Sequence, residues 1–459
     1  MYNLEMVLKI RRKIWMLKQA SFTGISDLLY WKVTGRSIEQ FYIDYMIHLR
    51  MKGGFSKKNL YKIIVQALTC GSMCRLSVNL RTICIGIAET VALIENGKYD
   101  ESVRRKKKVE SLIRSSSVSE CRYSQWMKLQ HIALSNGLFL IALEARKKAE
   151  KCVRKSKSAY SDMKLIGFYI ESGRYGKAVE LLERSSFSKA YKRIHTDYWE
   201  HLYQFCKYMA NTGIENSNDG IKKDFSEVER GFYKYVKGKK IVILGPAYRD
   251  DYSPLMERYS DNDIMMLLSW GPDSQQHEIL TRNAPDLSLY NGEATIQLKN
   301  SEKYKEFVKG LKYIILKAAN CQECDIGDAE FNSKVRYALP GGGRQFLTMH
   351  GDLGQIQIAL ADLIFFGVDI VALNFNMYYS EREYLNEEEE KEYFTRMEAF
   401  FHHDPFANFN FTKSIYQAGG FQTDEMGQRI MELNVEEYAK GLEEMNCRKY
   451  IRSKGYEAG

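Results

Sequence analysis

Two patterns of apolar residues divide the chain. From residue 1 to about 225, apolar side chains recur at three- and four-residue spacing and proline is absent, the pattern of amphipathic helices. From Lys239 onward short continuous apolar runs take over: Ile241–Leu244, Asp263–Trp270, Asp286–Gly292 and Lys312–Lys317 each read as a buried strand. These runs alternate with helix-length segments, which predicts β-α-β units and a parallel sheet. The expected organisation is an all-α domain over 1–225 followed by a Rossmann-like α/β domain over 226–459, joined through the polar, turn-rich segment Asn211–Asp224.

The most structured part of the pattern is Phe346–Ser380. A turn, His350-Gly351-Asp352-Leu353-Gly354, leads into an apolar run of helical length, Gln355–Phe366. Gly367 interrupts it, and Val368–Phe375 reads as a strand ending in Asn376, Met377, Tyr378, Tyr379 and Ser380. Ligands of α/β sheets bind beyond the carboxyl ends of the strands and at helix N-termini, and this stretch supplies both. Its residues fit equally an ordinary helix–strand unit of a core.

The helical half contains a degenerate repeat. Segments starting at Tyr123 and Tyr160 place Gly137 and Gly173, and likewise Ala142 and Ala178, at a period of 36; Gly97 marks an earlier copy of the same turn. A turn glycine followed by a small residue resembles tetratricopeptide-type helical hairpins. Such a domain is either a docking surface or lid, or a helical bundle packed beside the second domain. At the C-terminal end, Asn434 is expected to cap a last helix, with Glu436 and Glu437 in its first turn.

Charge changes this picture. Residues 1–150 carry roughly 14 more Lys and Arg than Asp and Glu, densest at Arg104–Lys108, while the whole chain is only +9. A basic half suits an anionic membrane surface or anionic polymer, though a solvated helical face explains any one run. Aromatics do not alternate with the basic runs, so nucleic acid ranks last among partners. No apolar run is long enough for a membrane helix, and the N-terminus lacks the apolar core of a signal peptide. The nine cysteines are scattered, with one CxxC at Cys321 and Cys324, which suits reduced thiols in the cytoplasm rather than a metal site.

Candidate chemistry gathers at the predicted strand ends. The turn Gly245-Pro246-Ala247-Tyr248 and the helix start Gly351–Gly354 would present backbone N–H groups to a phosphate or ribose, with glycine allowing close approach. Neither is a P-loop or a GxGxxG fingerprint. His402 and His403, followed by Asp404-Pro405, stand in a segment rich in Asp, Asn and aromatics; the same four residues equally read as a helix cap with Pro405 at its first position.

The order of these pieces resembles the sialyltransferase-type, CMP-sugar-dependent glycosyltransferases. The matching features are the strand into a glycine turn (ILGPAYRDD), the third strand ending in Tyr290-Asn291, the turn–helix–strand unit ending in LNFNMYYS, and the later histidine. The likeness covers about 220 residues and rests on motif order rather than identity. The first turn has one glycine where that family often has more. Asn374 stands where glycine is usual, Asn376 where aspartate is common, and His403-Asp404-Pro405 where related Kdo transferases show His-Pro.

The resemblance implies transfer of an acidic sugar, sialic acid or Kdo, from a CMP donor to a surface glycan, in a cytoplasmic, bacterial-type enzyme; the basic helical domain would bring it to the inner membrane face or to an anionic acceptor. It implies no cofactor beyond the donor and no metal, since no DxD triplet has a strand-end setting. Gly245, Pro246, Ala247, Tyr290, Asn291, Gly351, Gly354 and Asn376 would hold the nucleotide; Tyr378, Tyr379 or Tyr384 would bond the leaving phosphate. His403 is the first choice as general base, because imidazole titrates near neutrality; His350 and Asp352 are the others. Two alternatives stay open: a helical scaffold with an inactive second domain, and a transferase using another nucleotide sugar.

Overall fold

The computed structural model describes residues 56–69, 76–156, 158–184, 196–210, 225–245, 247, 263–269, 271, 285–291, 295, 298, 300–317, 332–338, 351, 353–379, 399–400 and 403–453. The expected linker Asn211–Asp224 lies outside them, as do Cys321 and Cys324. The chain divides into two compact units: Met1–Lys155 with Glu388–Phe401 and Asn446–Gly459, and Ser156–Glu387 with His402–Met445. The sequence places a border by element class, near residue 225; the border by packing lies at Lys155/Ser156.

The first unit contains helices α1 (Lys57–Thr69), α2 (Val78–Glu95), α3 (Tyr99–Ser115), α4 (Tyr123–Leu134) and α5 (Phe139–Lys155). Helices α2/α3 and α4/α5 form antiparallel hairpins around Ile87, Val91, Val109, Trp126, Leu129 and Phe139, all fully buried. At Gly86 a Cβ would stand 2.4 Å from Val109, so glycine lets α2 approach α3. The hairpin turns repeat one geometry. Gly97 and Gly137 have φ of 69° and 71°, and the next residue's N–H reaches back to close the helix, Lys98 to Leu93 at 2.9 Å and Leu138 to Ala133 at 2.9 Å. Five residues on, the small side chains of Ser102 and Ala142 are buried.

The second unit begins with helices α6 (Ala159–Glu171), α7 (Tyr175–Glu183) and α8 (Thr196–Ala210). The α6/α7 turn repeats that geometry at Gly173 (φ 67°), with Arg174 N–H on Tyr169 at 2.8 Å and Ala178 buried. Helix α9 (Glu227–Val236) then leads into a seven-stranded, all-parallel sheet: β1 (Lys240–Leu244), β2 (Ile264–Leu268), β3 (Leu287–Tyr290), β4 (Tyr313–Leu316), β5 (Val335–Tyr337), β6 (Asp369–Leu373) and β7 (Gln422–Thr423). Helices α10 (Glu302–Val308), α11 (Gln355–Ile364), α12 (Pro405–Gln417), α13 (Glu425–Glu432) and α14 (Val435–Ser453) lie between and after the strands.

The strand order is β5-β4-β3-β2-β1-β6-β7. The chain builds outward from β1 to β5, then returns to the other side of β1. This is a doubly wound, Rossmann-like arrangement, and the reversal between β1 and β6 is its topological switch point. Five of the strands fall on the apolar runs seen in the sequence. The capping expectation at Asn434 also holds: its side chain accepts from Glu437 N–H at 3.0 Å, and Glu437 accepts from Asn434 N–H at 2.8 Å.

A buried ion pair ties β5 to α11. Arg336 makes two bonds to Asp362, at 2.6 and 2.7 Å, with both side chains sealed from water. The guanidinium lies over the edge-to-face pair Phe232 and Phe366, 4.4 and 4.7 Å from their ring centres. Among the described residues, no helix is long and apolar enough to cross a membrane.

Candidate functional site

The switch point is closed by Gly245 at the end of β1 and Asn374 at the end of β6. Gly245 N–H donates to Leu373 O at 2.8 Å, and a Cβ there would lie 2.5 Å from Asn374 O, so only glycine fits. Asn374 takes φ of 53°, the left-handed region that asparagine tolerates better than most residues. Its carboxamide donates to Gly245 O at 3.2 Å and Ala247 O at 2.5 Å, pinning the first turn onto the end of β6. Its own N–H is held by Asp424 at 2.9 Å, whose other oxygen caps α13 through Gly427 N–H. Asparagine therefore takes the left-handed position at this strand end and adds a clamp on the first turn.

Beyond Asn374 the chain makes a tight turn, Tyr379 N–H to Asn376 O at 2.6 Å. Both central residues, Met377 and Tyr378, have positive φ, 50° and 63°. Turns of that kind are normally built from Gly, Asn or Asp. The turn is held from several sides. Asn376 Oδ1 accepts from Tyr378 N–H at 3.0 Å; Met377 O accepts from Tyr438 OH at 2.6 Å; Gln357 Nε2 approaches Met377 Sδ at 3.2 Å. Tyr379 stacks on Tyr438, which stacks on Phe409 with centroids 4.1 Å apart. Ser269, just past β2, is a further non-glycine residue with positive φ, 55°. Every such residue among those described lies just past the carboxyl end of β2 or β6.

Gly351, Leu353, Gly354 and Gln355 sit on the same edge. Gln355 donates to Ser269 Oγ and to Leu289 O, and Lys317 Nζ donates to Leu353 O at 2.7 Å. Gly354 opens α11 without a side-chain cap, and its N–H is bound by Asn408 Oδ1 at 2.8 Å. Asn408 also donates to Asp404 O at 2.9 Å. A Cβ on Gly351 would stand 2.7 Å from Asp404 N, so the 350s turn lies against the residue that follows His403. The structure thus joins the two turns that the sequence shows 50 residues apart. Asp404 caps α12, accepting from Phe406 and Ala407 N–H at 2.9 and 3.2 Å, with Pro405 in the first turn. This is the capping role the sequence allowed; Asp404 and Asn408 are engaged with backbone.

The predicted residues therefore fall into three sets. Gly245, Ala247, Gly351, Gly354, Asn376, Tyr378, Tyr379 and His403 stand at the carboxyl edge, with both tyrosines and His403 half-buried. Asn291 is also there, half-buried after β3. Tyr290, in contrast, is fully buried among Leu298, Val308, Leu311 and Leu316, and burial pushes its phenol well above the ordinary tyrosine range. It fills the core and presents no surface to a ligand. Pro246, His350, Asp352, His402 and Tyr384 lie outside the described residues. Ser269, Gln355, Gln357, Asp424 and Tyr438 were not signalled by the sequence, because their roles depend on contacts made across long separations.

Among the described residues no three His, Cys, Asp or Glu side chains gather as metal ligands. The backbone N–H groups of Gly245, Ala247 and Gly354, expected to face a phosphate or ribose, are instead taken up by Leu373 O, Asn374 O and Asn408 Oδ1, so these residues shape the edge rather than supply donors. The edge offers the first turn of α11 beyond Gly354, the half-buried phenol of Tyr378, that of Tyr379 packed against Gly441, and the imidazole of His403. That set can bind a phosphorylated, hydroxyl-rich ligand by hydrogen bonds and accept a proton from it. Comparison with family models, with curated proteins and with solved structures finds no match to this chain.

Proposed function

We propose that this chain is a glycosyltransferase that moves an acidic sugar, sialic acid or Kdo, from its CMP donor to a glycan acceptor. The observation that carries the reading is the concentration of left-handed, non-glycine backbone at Ser269, Asn374, Met377 and Tyr378, beside the switch between β1 and β6. Such conformations cost about 1–3 kcal/mol each and cluster at ligand sites, where surrounding contacts hold them. The switch point is where open α/β sheets bind nucleotides.

On this reading the Gly245–Ala247 turn and the start of α11 hold the cytidine nucleotide. The acceptor oxygen attacks the anomeric carbon, the bond from that carbon to the phosphate oxygen breaks, and CMP leaves with the electron pair. Tyr378 and Tyr379 donate hydrogen bonds to the departing phosphate, and His403 takes the acceptor proton. The helical hairpins of the N-terminal part are a tetratricopeptide-like domain that carries the acceptor.

The test is release of CMP from CMP-sialic acid and CMP-Kdo in the presence of glycan acceptors, with and without EDTA. Turnover of one donor, unchanged by EDTA and lowered about 10²–10⁴-fold in His403→Ala, supports the reading. Turnover of a UDP- or GDP-sugar instead replaces the donor, and full activity in His403→Ala removes its role as base.

A further inference from the structure

Charge is segregated between the two units. The unit containing Met1–Lys155, Glu388–Phe401 and Asn446–Gly459 carries roughly +17, and the chain's net +9 leaves the other at roughly −8. Within the basic unit, α3 gathers this charge on one ridge. Ser102, Val109 and Ile113 face inward and are buried, whereas Arg104, Lys107, Lys108 and Ser111 are exposed at the i, i+3, i+4 and i+7 positions of a single face. The acidic residues of α3's outer face, Asp100 and Glu101, stand in its first turn, and Glu101 is paired with Lys98 at 3.7 Å. Glu89 of α2 holds both Arg105 of α3 and Lys57 of α1, so one carboxylate links the three helices. Lys58 and Lys62 of α1 are exposed as well. Arg104, Lys107, Lys108, Lys58 and Lys62 have no ion-pair partner among the described residues.

We infer that this ridge is a docking face for an anionic phospholipid surface. Its charges stand on the outer, convex side of a helix, which meets a flat layer of headgroups at several points at once. A single polymer chain is normally gripped in a groove, and single-stranded nucleic acid also calls for aromatic platforms; the exposed ridge residues include no aromatic. Val103, adjacent to Arg104, is 42% exposed and places an apolar side chain at the headgroup boundary. The contact is ionic and peripheral, so salt reverses it. It does not depend on the transfer reaction: a chain that binds no nucleotide still binds the surface.

The experiment is co-sedimentation of the full chain with phosphatidylcholine vesicles containing about one third phosphatidylglycerol, against pure phosphatidylcholine. Each basic residue near an anionic surface is worth about a fivefold change in partition. The expected result is binding to the anionic vesicles alone, lost at roughly 0.5 M salt, where the screening length is only a few ångströms. Reversing Arg104→Glu, Lys107→Glu and Lys108→Glu together weakens it at least about a hundredfold, with unchanged circular dichroism because all three side chains are exposed. Lys58→Glu with Lys62→Glu, on a different helix, weakens it by about tenfold or more and guards against misfolding of the first variant. Absence of binding to anionic vesicles, wild-type binding by both variants, or displacement by a soluble carboxylated polysaccharide of equal total charge overturns the inference.

Discussion

Turns that close helices and turns that close strands solve the same backbone problem in opposite ways. The hairpins end at Gly97, Gly137 and Gly173, each with positive φ and each a glycine, so the left-handed position carries no side-chain penalty. At the ends of β2 and β6 the same region of backbone space is taken by Ser269, Asn374, Met377 and Tyr378. One set is built for stability at low cost. The other keeps side chains where glycine would be cheaper, and holds them with Tyr438, Asp424, Gln355 and Gln357. On the proposed reading the difference separates scaffold from site: Asn374 uses its left-handed position to clamp the first turn, and Tyr378 uses its own to hold a phenol at the strand edge.

Substitutions sharpen that contrast, beginning with the base on which the edge stands. Asp362→Ala leaves Arg336 charged and sealed against Phe232 and Phe366, and is expected to cost about 3–5 kcal/mol in chemical denaturation; replacing both residues by apolar ones should recover most of it. Gly245→Ala forces a Cβ into Asn374 O and should cost about 1–3 kcal/mol, while also displacing the first turn and abolishing nucleotide binding. Gly137→Ala, at φ 71°, should cost about 1–2 kcal/mol and leave turnover untouched, since it only closes a hairpin. Tyr378→Gly completes the comparison. Relief of a left-handed tyrosine should leave stability unchanged or raise it by up to about 1 kcal/mol while donor turnover falls. A clear loss of stability there, measured by the thermal midpoint, would mean that the tyrosine serves the fold and that the two kinds of turn do not differ in purpose.

Much of the scaffold was legible in the sequence for specific reasons. Strands β1 to β4 and β6 are short apolar runs that no amphipathic helix would carry, and Gln355–Ile364 is a helix-length run ended by Gly367. Asn434 and Asp404 announce their helices by residue type alone. Strand β5 escaped notice because its central Arg336 reads as a surface residue; only the distant Asp362 makes its burial tolerable. Strand β7 is Gln422-Thr423, too short and polar to signal anything. The site was legible as a set of loops but not as an arrangement. Tyr290 reads as a strand-tip ligand group, yet packing turns it into the core. Asn374 reads as a departure from a glycine pattern, and only the fold reveals that its carboxamide clamps Gly245 and Ala247. Long-range partners of this kind leave no periodicity for a sequence to display.

On the proposed function the β1/β6 edge is a nucleotide site selective for cytidine monophosphate. The most direct measurement is calorimetric and thermal-shift titration of the wild-type chain and Gly245→Ala with CMP, UMP, UDP and GDP, with and without EDTA. A ligand that binds only the folded state stabilises it by about 2.7 kcal/mol at a hundredfold excess over its Kd. The expected result is saturable CMP binding to the wild type, unaffected by EDTA and lost in the folded variant. No binding of any nucleotide by the folded wild-type chain, or equal binding by Gly245→Ala, would contradict it.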